Sequence, residues 1–412
     1  MAPSMCSPEP KHEAEAGRIL IVGASIGGIR TAQALRAAGY AAQITVIGSE
    51  SHFPYDKPPL SKDLLAPDGT GAAVPILRPE EVDALDLDLY LGTTAAALDP
   101  IARTVTTQDG QVFAYDRLVI ATGVVPHTLP GAGLDGIHTL RNLEDARALR
   151  TALTTARDAV VVGAGFIGAE FAAAARSNGV AVTMLEAQAE PLAQALGEAV
   201  GARFREFHEA HGVRVITSSL VSEFLGSRRV TGVVANGNTH RADLVVIGIG
   251  ARPAVEWLRD SGLPLPNGVA CDDRHQVVGF PSIYAVGDVA QWEHRFYGTP
   301  VRIEHWTNAQ DHASAVAADI MGLPAPAPSL PYVWSDQYGR RIQIIGRPSM
   351  GSLDSVEGGI HTGDLTALYA DAQGNLAAAV VVDDPRLLMR CRKAILQRSN
   401  LDEFKASLLA KA

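Results

Sequence analysis

Two glycine-rich turns constrain the fold of this chain more than any other feature. One spans residues 23–28 and the other residues 163–168, and each follows a short apolar run and precedes a helical pattern. Because glycine has no side chain, such a turn lets backbone N–H groups and a helix N-terminus approach a pyrophosphate. A single motif of this kind says little, but two in matching context predict two dinucleotides bound side by side. That pairing indicates a flavin and a nicotinamide.

The two turns differ in detail. The first has Ser25 where the usual pattern has its second glycine, whereas the second keeps all three glycines. An acid after the next strand usually holds the adenosine ribose. After the first turn this position is taken by Ser49 and Glu50, although a solvated loop would also contain such residues. After the second turn it is taken by Glu186. Residues 187–202 include no Lys or Arg to hold a 2′-phosphate, so we predict NADH rather than NADPH.

Length and charge narrow the class of protein. A chain of 412 residues exceeds the size at which a single core keeps growing, so two or three domains are expected. The formal net charge of -10 disfavours nucleic acid or an anionic membrane surface as a partner. No segment approaches the ~20 apolar residues of a membrane-spanning helix, and residues 1–17 lack an apolar signal segment. We therefore expect a cytoplasmic protein that begins with a disordered extension, residues 1–17.

The order of the predicted elements gives an α/β fold with two Rossmann-like domains and a small C-terminal α+β domain. Two βαβ units occupy residues 18–50 and 158–186. After residue 251 the chain is expected to return to the first domain, because a further apolar strand ends at Asp288. The predicted domains are an FAD-binding domain (18–125 and 251–323), an NADH-binding domain (126–250) and, beyond a proline-rich linker, the C-terminal domain (324–412).

Cysteine usage limits the chemistry. The three cysteines, Cys6, Cys271 and Cys391, are far apart and form no C-x-x-C pair, so neither a redox dithiol nor a metal site is predicted. Related folds that reduce disulfides or peroxide need cysteine beside the flavin. Residues 49–65, which would lie there, contain none. Electrons are therefore expected to leave to an external acceptor.

Several segments together carry a resemblance to a known family. They are residues 58–62, 121–123, 163–168 with Glu170, 285–288, 302–309 and 334–337. On these segments the chain resembles the FAD-dependent ferredoxin reductases of bacterial ring-hydroxylating dioxygenase and cytochrome P450 systems, a putidaredoxin reductase-like family with a glutathione reductase-like fold. The resemblance implies that NADH gives a hydride to FAD and that single electrons pass to a [2Fe-2S] ferredoxin. A rubredoxin reductase, an NADH oxidase and a non-enzymatic NADH-sensing flavoprotein stay open as alternatives.

The resemblance also implies roles for individual residues. Lys62 near the flavin, Glu170 at the nicotinamide carboxamide and Trp334 on the electron exit path are implied as catalytic. Asp288 is suited to bind the ribitol hydroxyls, although a helix N-cap is its plain alternative. Trp306 begins a helix whose positive end would face the flavin, although tryptophan is more often a core residue. The full set implied to bind the two cofactors is Gly23, Ser25, Gly27, Gly28, Ser49, Glu50, Lys57, Pro59, Lys62, Ala95, Ala121, Thr122, Gly123, Arg141, Gly163, Gly165, Phe166, Ile167, Gly168, Glu170, Glu186, Gly248, Gly250, Gly287, Asp288, His305 and Trp306.

Some positions depart from the family or concern partners. The family commonly has arginine where Lys57 and His127 stand, and lysine lacks the bidentate fork. His208, His211 and His312 are expected on ordinary surfaces. The protein is expected to be a monomer or homodimer, and an acidic ferredoxin is expected to dock on basic residues of the C-terminal region, although a solvated helix would carry the same charges. These basic residues are Arg340, Arg341, Arg386, Arg390, Arg392, Lys393 and Arg398.

Overall fold

The structure is a computed structural model that describes residues 17–327 and 329–409. The predicted disordered extension lies outside the described residues, apart from Gly17. No helix in the described ranges is long and apolar enough to cross a membrane.

The first stretch of chain contains the first βαβ unit, which is followed by α2 and five further strands. Its elements are β1 (Ile19–Val22), α1 (Ile26–Ala37), β2 (Ile44–Gly48), α2 (Pro79–Ala84), β3 (Leu87–Leu91), β4 (Ala95–Asp99), β5 (Thr104–Thr107), β6 (Val112–Ala114) and β7 (Arg117–Ile120). The apolar β1 is buried throughout and pairs in parallel with β2 and β7. Two residues after the end of α1 comes Gly39, whose φ of 89° is the left-handed conformation that glycine adopts most readily.

The second stretch repeats this design. Its elements are β8 (Val124–Pro126), β9 (Ile137–His138), α3 (Leu143–Leu153), β10 (Asp158–Val162), α4 (Phe166–Ser177), β11 (Ala181–Leu185), α5 (Ala193–Leu196), α6 (Glu198–Ala210), β12 (Val213–Ile216), β13 (Val221–Gly226), β14 (Val230–Ala235), β15 (Asn238–Arg241) and β16 (Leu244–Ile247). A parallel sheet has the strand order β12-β11-β10-β16-β9, and β13 to β15 form a separate antiparallel sheet. The second glycine turn joins β10 to α4.

The chain then returns to the first sheet, as the sequence predicts. The elements of this stretch are β17 (Ala251–Pro253), β18 (Val269–Cys271), β19 (Gln276–Val277), β20 (Phe280–Ala285), β21 (Ala290–His294), β22 (Thr299–Val301) and α7 (Trp306–Ile320). Strand β20 pairs in parallel with β7, which itself pairs with β1, so the carboxyl ends of all three strands lie at the same edge of the sheet. Strand β17 pairs with β8 in a short two-stranded link. The domain boundaries proposed from the sequence stay predictions.

The last stretch forms an antiparallel sheet covered on both faces. Its elements are β23 (Tyr332–Gln337), β24 (Arg340–Gly346), β25 (Ser352–Glu357), β26 (Thr366–Ala370), β27 (Leu376–Val382), α8 (Pro385–Leu396) and α9 (Leu401–Leu409). One face packs on α6, where Phe204 meets Ile342, and the other packs on α8, where Cys391 meets Ile345. The prediction of an α/β fold with a C-terminal α+β region is therefore confirmed.

The prediction that three histidines lie on ordinary surfaces is wrong for two of them. His208 is 1% exposed and His312 is 2% exposed, whereas His211 is half-buried. His208 is buried because α6 lies beneath the C-terminal sheet. His312 is buried because α7 packs against the first sheet, where its Nδ1 accepts a hydrogen bond from the Gly287 N–H at 3.1 Å. An isolated histidine in a sequence carries no sign of such packing.

Candidate active site

A large cavity of about 1370 Å³ lies where the three parts of the chain meet. Most of the residues predicted to bind cofactors line it, together with Trp334 of the C-terminal sheet. The predicted residues that are absent from its lining are Gly28, Pro59, Gly163, Gly168 and Glu186. The cavity joins the carboxyl ends of both parallel sheets, which is the position where open α/β sheets bind ligands.

The first glycine turn has room for backbone but not for side chains. Gly23 has φ 123°, and a Cβ on Gly28 would lie 1.9 Å from the Gly23 carbonyl oxygen. Ser25 is the N-cap of α1, and its side chain makes no capping hydrogen bond. Backbone N–H groups, a free hydroxyl and a helix N-terminus at the cavity fit the pyrophosphate of a dinucleotide. Gly28 thus supports the turn from behind without lining the cavity.

Charged side chains surround this first turn. Asp288 follows β20, and Arg141 Nη2 lies 3.4 Å from its carboxylate. Burial raises the pKa of Asp288, and Arg141 only partly opposes that shift. Such a half-buried carboxyl group, incompletely paired, is suited to the hydroxyl groups of a ribitol chain.

Glu50 lies between Lys57 and Tyr55. Lys57 Nζ is 2.9 Å from the Glu50 carboxylate, and the Tyr55 hydroxyl also donates to that carboxylate. Burial acts to raise the pKa of Glu50, but Lys57 and Tyr55 outweigh it, and the pKa is lowered. Burial in turn lowers the pKa of Lys57. The position where the family commonly has arginine therefore still carries an ion pair, with Lys57 also within 3.4 Å of the Arg141 carbonyl oxygen.

The second glycine turn has the same tight packing. Gly163 has φ 95°, and a Cβ on Gly168 would lie 2.2 Å from the Gly163 carbonyl oxygen. Glu186, at the end of β11, accepts hydrogen bonds from the backbone N–H of Ala164 at 2.7 Å and of Gln188 at 2.8 Å. The acid predicted to hold a ribose thus also fixes the turn. Whether Glu186 contacts a nucleotide stays a prediction.

The predicted pair Lys62 and Glu170 is brought together between the two turns. Lys62 Nζ lies 2.9 Å from Glu170 Oε1, although Lys62 lies in the loop after β2 and Glu170 lies on α4 of the second βαβ unit. Glu170 is 4% exposed and accepts further hydrogen bonds from the hydroxyls of Ser61 and Ser335. Sequence reasoning assigned no role to Ser61 or Ser335. Their only signal was adjacency to Lys62 and Trp334.

Two tryptophans lie at the border between the first sheet and the C-terminal sheet. The rings of Trp306 and Trp334 meet edge to face with centroids 6.0 Å apart, and Tyr332 stacks on Trp334 at 6.0 Å. Trp306 Nε1 donates to Asp56 at 2.6 Å. Burial lowers the pKa of the preceding His305 to about 4. Both tryptophans line the cavity, and each is half-buried.

The basic residues of the C-terminal region are distributed differently from the prediction. Arg340 pairs with Asp383 at 3.0 Å, and Arg341 pairs with Asp336 at 2.8 Å. Helix α8 covers the sheet face opposite to Ile344, which lines the cavity. Most of the predicted docking charges therefore lie behind the sheet and not at the mouth of the cavity.

The described cysteines take no part in the cavity. Cys271 and Cys391 are buried and unpaired, and neither lines it. Burial raises the pKa of both thiols, that of Cys391 to about 12. Across residues 17–327 and 329–409, no group of three or more His, Cys, Asp or Glu side chains is placed to hold a metal ion.

The chain matches known proteins along almost its whole length. Residues 17–313 match a family described as pyridine nucleotide-disulphide oxidoreductase, and residues 332–408 match one described as reductase C-terminal. Over 402 residues the chain is 37% identical to the ferredoxin reductase component of chlorobenzene dioxygenase from Cupriavidus sp. (strain PS12), covering 95% of this chain and 97% of that one. Over 333 residues it is 36% identical to the rubredoxin-NAD(+) reductase of Ectopseudomonas oleovorans, covering 80% and 86%. The crystal structure of a covalent putidaredoxin reductase-putidaredoxin complex matches with a TM-score of 0.88 at 32% identity, covering 93% of each chain.

Proposed function

This chain belongs to the pyridine nucleotide-disulphide oxidoreductase family, and we propose that it is the NADH-dependent ferredoxin reductase of an oxygenase system. It is an oxidoreductase that uses FAD and NAD(H). The observation that carries the proposal is a single cavity shared by both glycine turns, with no cysteine among its lining residues. Electrons that arrive there have no sulfur relay and pass to a separate carrier protein.

The residues of the cavity divide into two cofactor sites. The first turn, with Asp288 and Arg141, would hold FAD, and the second turn, with Glu186, would hold NADH. FAD, when bound, accepts a hydride from NADH and releases the two electrons singly. Per turnover, one NADH and two oxidised carriers give NAD⁺, one proton and two reduced carriers.

Lys62 and Glu170 act at the reacting end of the cavity. The ammonium of Lys62 supplies a fixed positive charge where negative charge develops on reduction. Glu170 holds that ammonium at 2.9 Å, so the charge stands in place before the reaction begins. Phe166 and Ile167, at the start of α4, line the cavity beside this pair.

The half-buried tryptophans Trp306 and Trp334 provide the exit toward the carrier, which we propose to be an acidic [2Fe-2S] ferredoxin. Arg386, Arg392 and Lys393 of α8 are exposed and form no salt bridge within the described ranges, so they remain available for electrostatic attraction. Arg340 and Arg341 are already paired and contribute less.

Direct comparison of carriers tests the proposal. The purified protein, NADH and either a [2Fe-2S] ferredoxin or a rubredoxin are mixed, and reduction of cytochrome c through each carrier is followed. We expect faster reduction through the ferredoxin. In Trp334→Ala this rate falls about tenfold, equivalent to ~1.4 kcal/mol of barrier, while reduction of the flavin by NADH is unchanged; Trp334→Phe restores most of it.

Three outcomes would overturn the proposal. Faster reduction through rubredoxin would assign the other carrier. Rapid oxygen consumption without a carrier would indicate an oxidase, and binding of both dinucleotides without turnover would indicate a sensing protein.

A further inference from the structure

Behind Glu170 lies a run of buried polar side chains that the cofactor chemistry does not use. Ser335, on β23, donates its hydroxyl hydrogen to Glu170 Oε1 at 2.7 Å, from 165 residues away in sequence. Gln337 Nε2 donates to Ser335 Oγ at 2.9 Å. The exposed fractions of Ser335 and Gln337 are 0% and 1%. Polar groups at such depth are costly unless each finds a partner.

His208 extends this run toward the surface. Its Nδ1 lies 3.0 Å from the Tyr338 hydroxyl, and Tyr338 stacks on the half-buried His211 with ring centroids 3.9 Å apart. On the other side, the Gln337 side chain is close enough to act on His208 as a hydrogen-bond acceptor. Nε2 of His208 and Oε1 of Gln337 are both buried, and neither has a partner of full hydrogen-bond geometry in the described part of the chain. The two atoms complement each other as donor and acceptor.

The direction of every hydrogen bond in this run follows from chemistry. A carboxylate only accepts, so Ser335 must donate to Glu170 and accept from the Gln337 amide nitrogen. The remaining Gln337 oxygen needs a donor, which assigns the hydrogen of His208 to Nε2. Burial lowers the pKa of His208 to about 4, so the ring is neutral and its bare Nδ1 accepts from the Tyr338 hydroxyl.

We propose that Ser335, Gln337 and His208 are positioning residues that hold Glu170, and through it Lys62, in the geometry that hydride transfer requires. Each donor in the chain Tyr338, His208, Gln337, Ser335 points toward the Glu170 carboxylate, so the aligned dipoles reinforce one another. The inference rests on the proposed function, in which Lys62 faces the flavin. It gives the C-terminal sheet a part in the chemistry in addition to carrier docking.

Substitution of Ser335 tests the inference on the holoenzyme. Ser335→Ala removes the donor, and Ser335→Thr keeps it. Ser261→Ala removes a comparably buried hydroxyl that donates to the Leu258 carbonyl and accepts from the Leu263 N–H, away from Glu170. Rapid mixing with NADH measures the limiting rate of flavin bleaching and the NADH concentration at half-saturation. In Ser335→Ala we expect the limiting rate to fall about tenfold with half-saturation unchanged. The limiting rates of Ser335→Thr and Ser261→Ala should both stay close to that of the wild type.

The direction of the chain gives a second test. His208→Gln keeps an N–H donor for Gln337, whereas His208→Leu offers none, so His208→Leu should slow flavin reduction severalfold more than His208→Gln. If either His208 variant fails to fold, the comparison of Ser335→Ala with Ser335→Thr tests the inference by itself. The inference is overturned if Ser335→Ala lowers the melting temperature but leaves the limiting rate within about twofold of wild type. A wild-type protein that NADH reduces but that passes no electrons to ferredoxin would overturn only the proposed function, since the bleaching rates still decide the inference.

Discussion

The two glycine turns share their backbone design and differ in what closes over them. At the same position of the turn the first has Gly27, which is buried with a Cβ position only 3.2 Å from Val286, and the second has Ile167, which is 43% exposed. Val286 directly follows β20, the strand that returns to the first sheet, whereas the corresponding place in the second sheet is taken by the two-residue strand β9. The returning chain thus makes the first site an enclosed cradle, suited to a resident cofactor. The second turn stays open, suited to a substrate that exchanges.

The largest expected effect is a loss of cofactor binding when the glycine that supports each turn is replaced. Gly28→Val and Gly168→Val each place a side chain against a carbonyl oxygen of their own turn. Overpacking costs roughly 1–3 kcal/mol or more, which corresponds to about a tenfold to hundredfold loss of affinity. We expect Gly28→Val to lose flavin, and Gly168→Val to stay yellow while binding NADH weakly. Flavin content and NADH titration check this, and equal loss of flavin in both would contradict the comparison.

Acid is expected to weaken the enclosed first region. Burial lowers the pKa of His275 to about 3 and of His294 to about 4, and lowers that of His312 well below 6.5. In the unfolded chain these histidines bind protons near pH 6.5, whereas in the folded protein they stay neutral. Their contribution to the free energy of unfolding is therefore fully present above that pH and is lost as the pH drops toward about 4. The free energy of unfolding should fall by about 1.4 kcal/mol per pH unit for each histidine.

Denaturant unfolding at a series of pH values measures this slope. His312→Gln keeps an acceptor for the Gly287 N–H and should flatten the slope by about one proton. An unchanged slope in this variant would show that His312 does not titrate in the way its burial requires. Flavin release should accompany the loss of stability, because Gly287 and Asp288 belong to the cradle.

The open second site is expected to discriminate between nicotinamides by charge. The Glu186 carboxylate would repel a 2′-phosphate, and no Lys or Arg lies in residues 187–202 to attract one. We expect kcat/KM to favour NADH, and Glu186→Gln to reduce that preference about tenfold. The exposed Glu223 lies on β13, and Glu223→Gln serves as the control that should leave it unchanged. A wild-type preference for NADPH would contradict the assignment.

The smallest effect concerns the carrier, which must approach the enclosed flavin from the C-terminal side. Added salt should slow ferredoxin reduction about threefold while leaving NADH oxidation by ferricyanide nearly unchanged. Neutralising Arg386 and Arg392 together should reduce the salt dependence. Equal salt responses with both acceptors would rule out electrostatic attraction between the carrier and α8.

Local patterns in the sequence predict much of the fold. The glycine turns, the apolar strands before them and the strand that ends at Asp288 each carry a short-range signal, so the two parallel sheets and the return of the chain follow from them. The choice of Lys62 and Glu170 as site residues follows from the resemblance, but their ion pair does not. The burial of His208 and the contact of Ser335 with Glu170 do not, because both depend on how the C-terminal sheet lies on α6 and α4. Nothing within a few residues of His208 or Ser335 records that packing.

The carboxylate of Glu170 has a thermodynamic consequence for the whole molecule. Its partners Ser61 and Lys62 precede α4 in the chain, and its partner Ser335 follows α4. The first stretch, the second stretch and the C-terminal sheet therefore meet at one buried negative charge. Separating any one of these units would strand that charge in an apolar surrounding, at a cost of several kcal/mol. We therefore expect these three parts to melt in one cooperative transition, without earlier release of the C-terminal sheet.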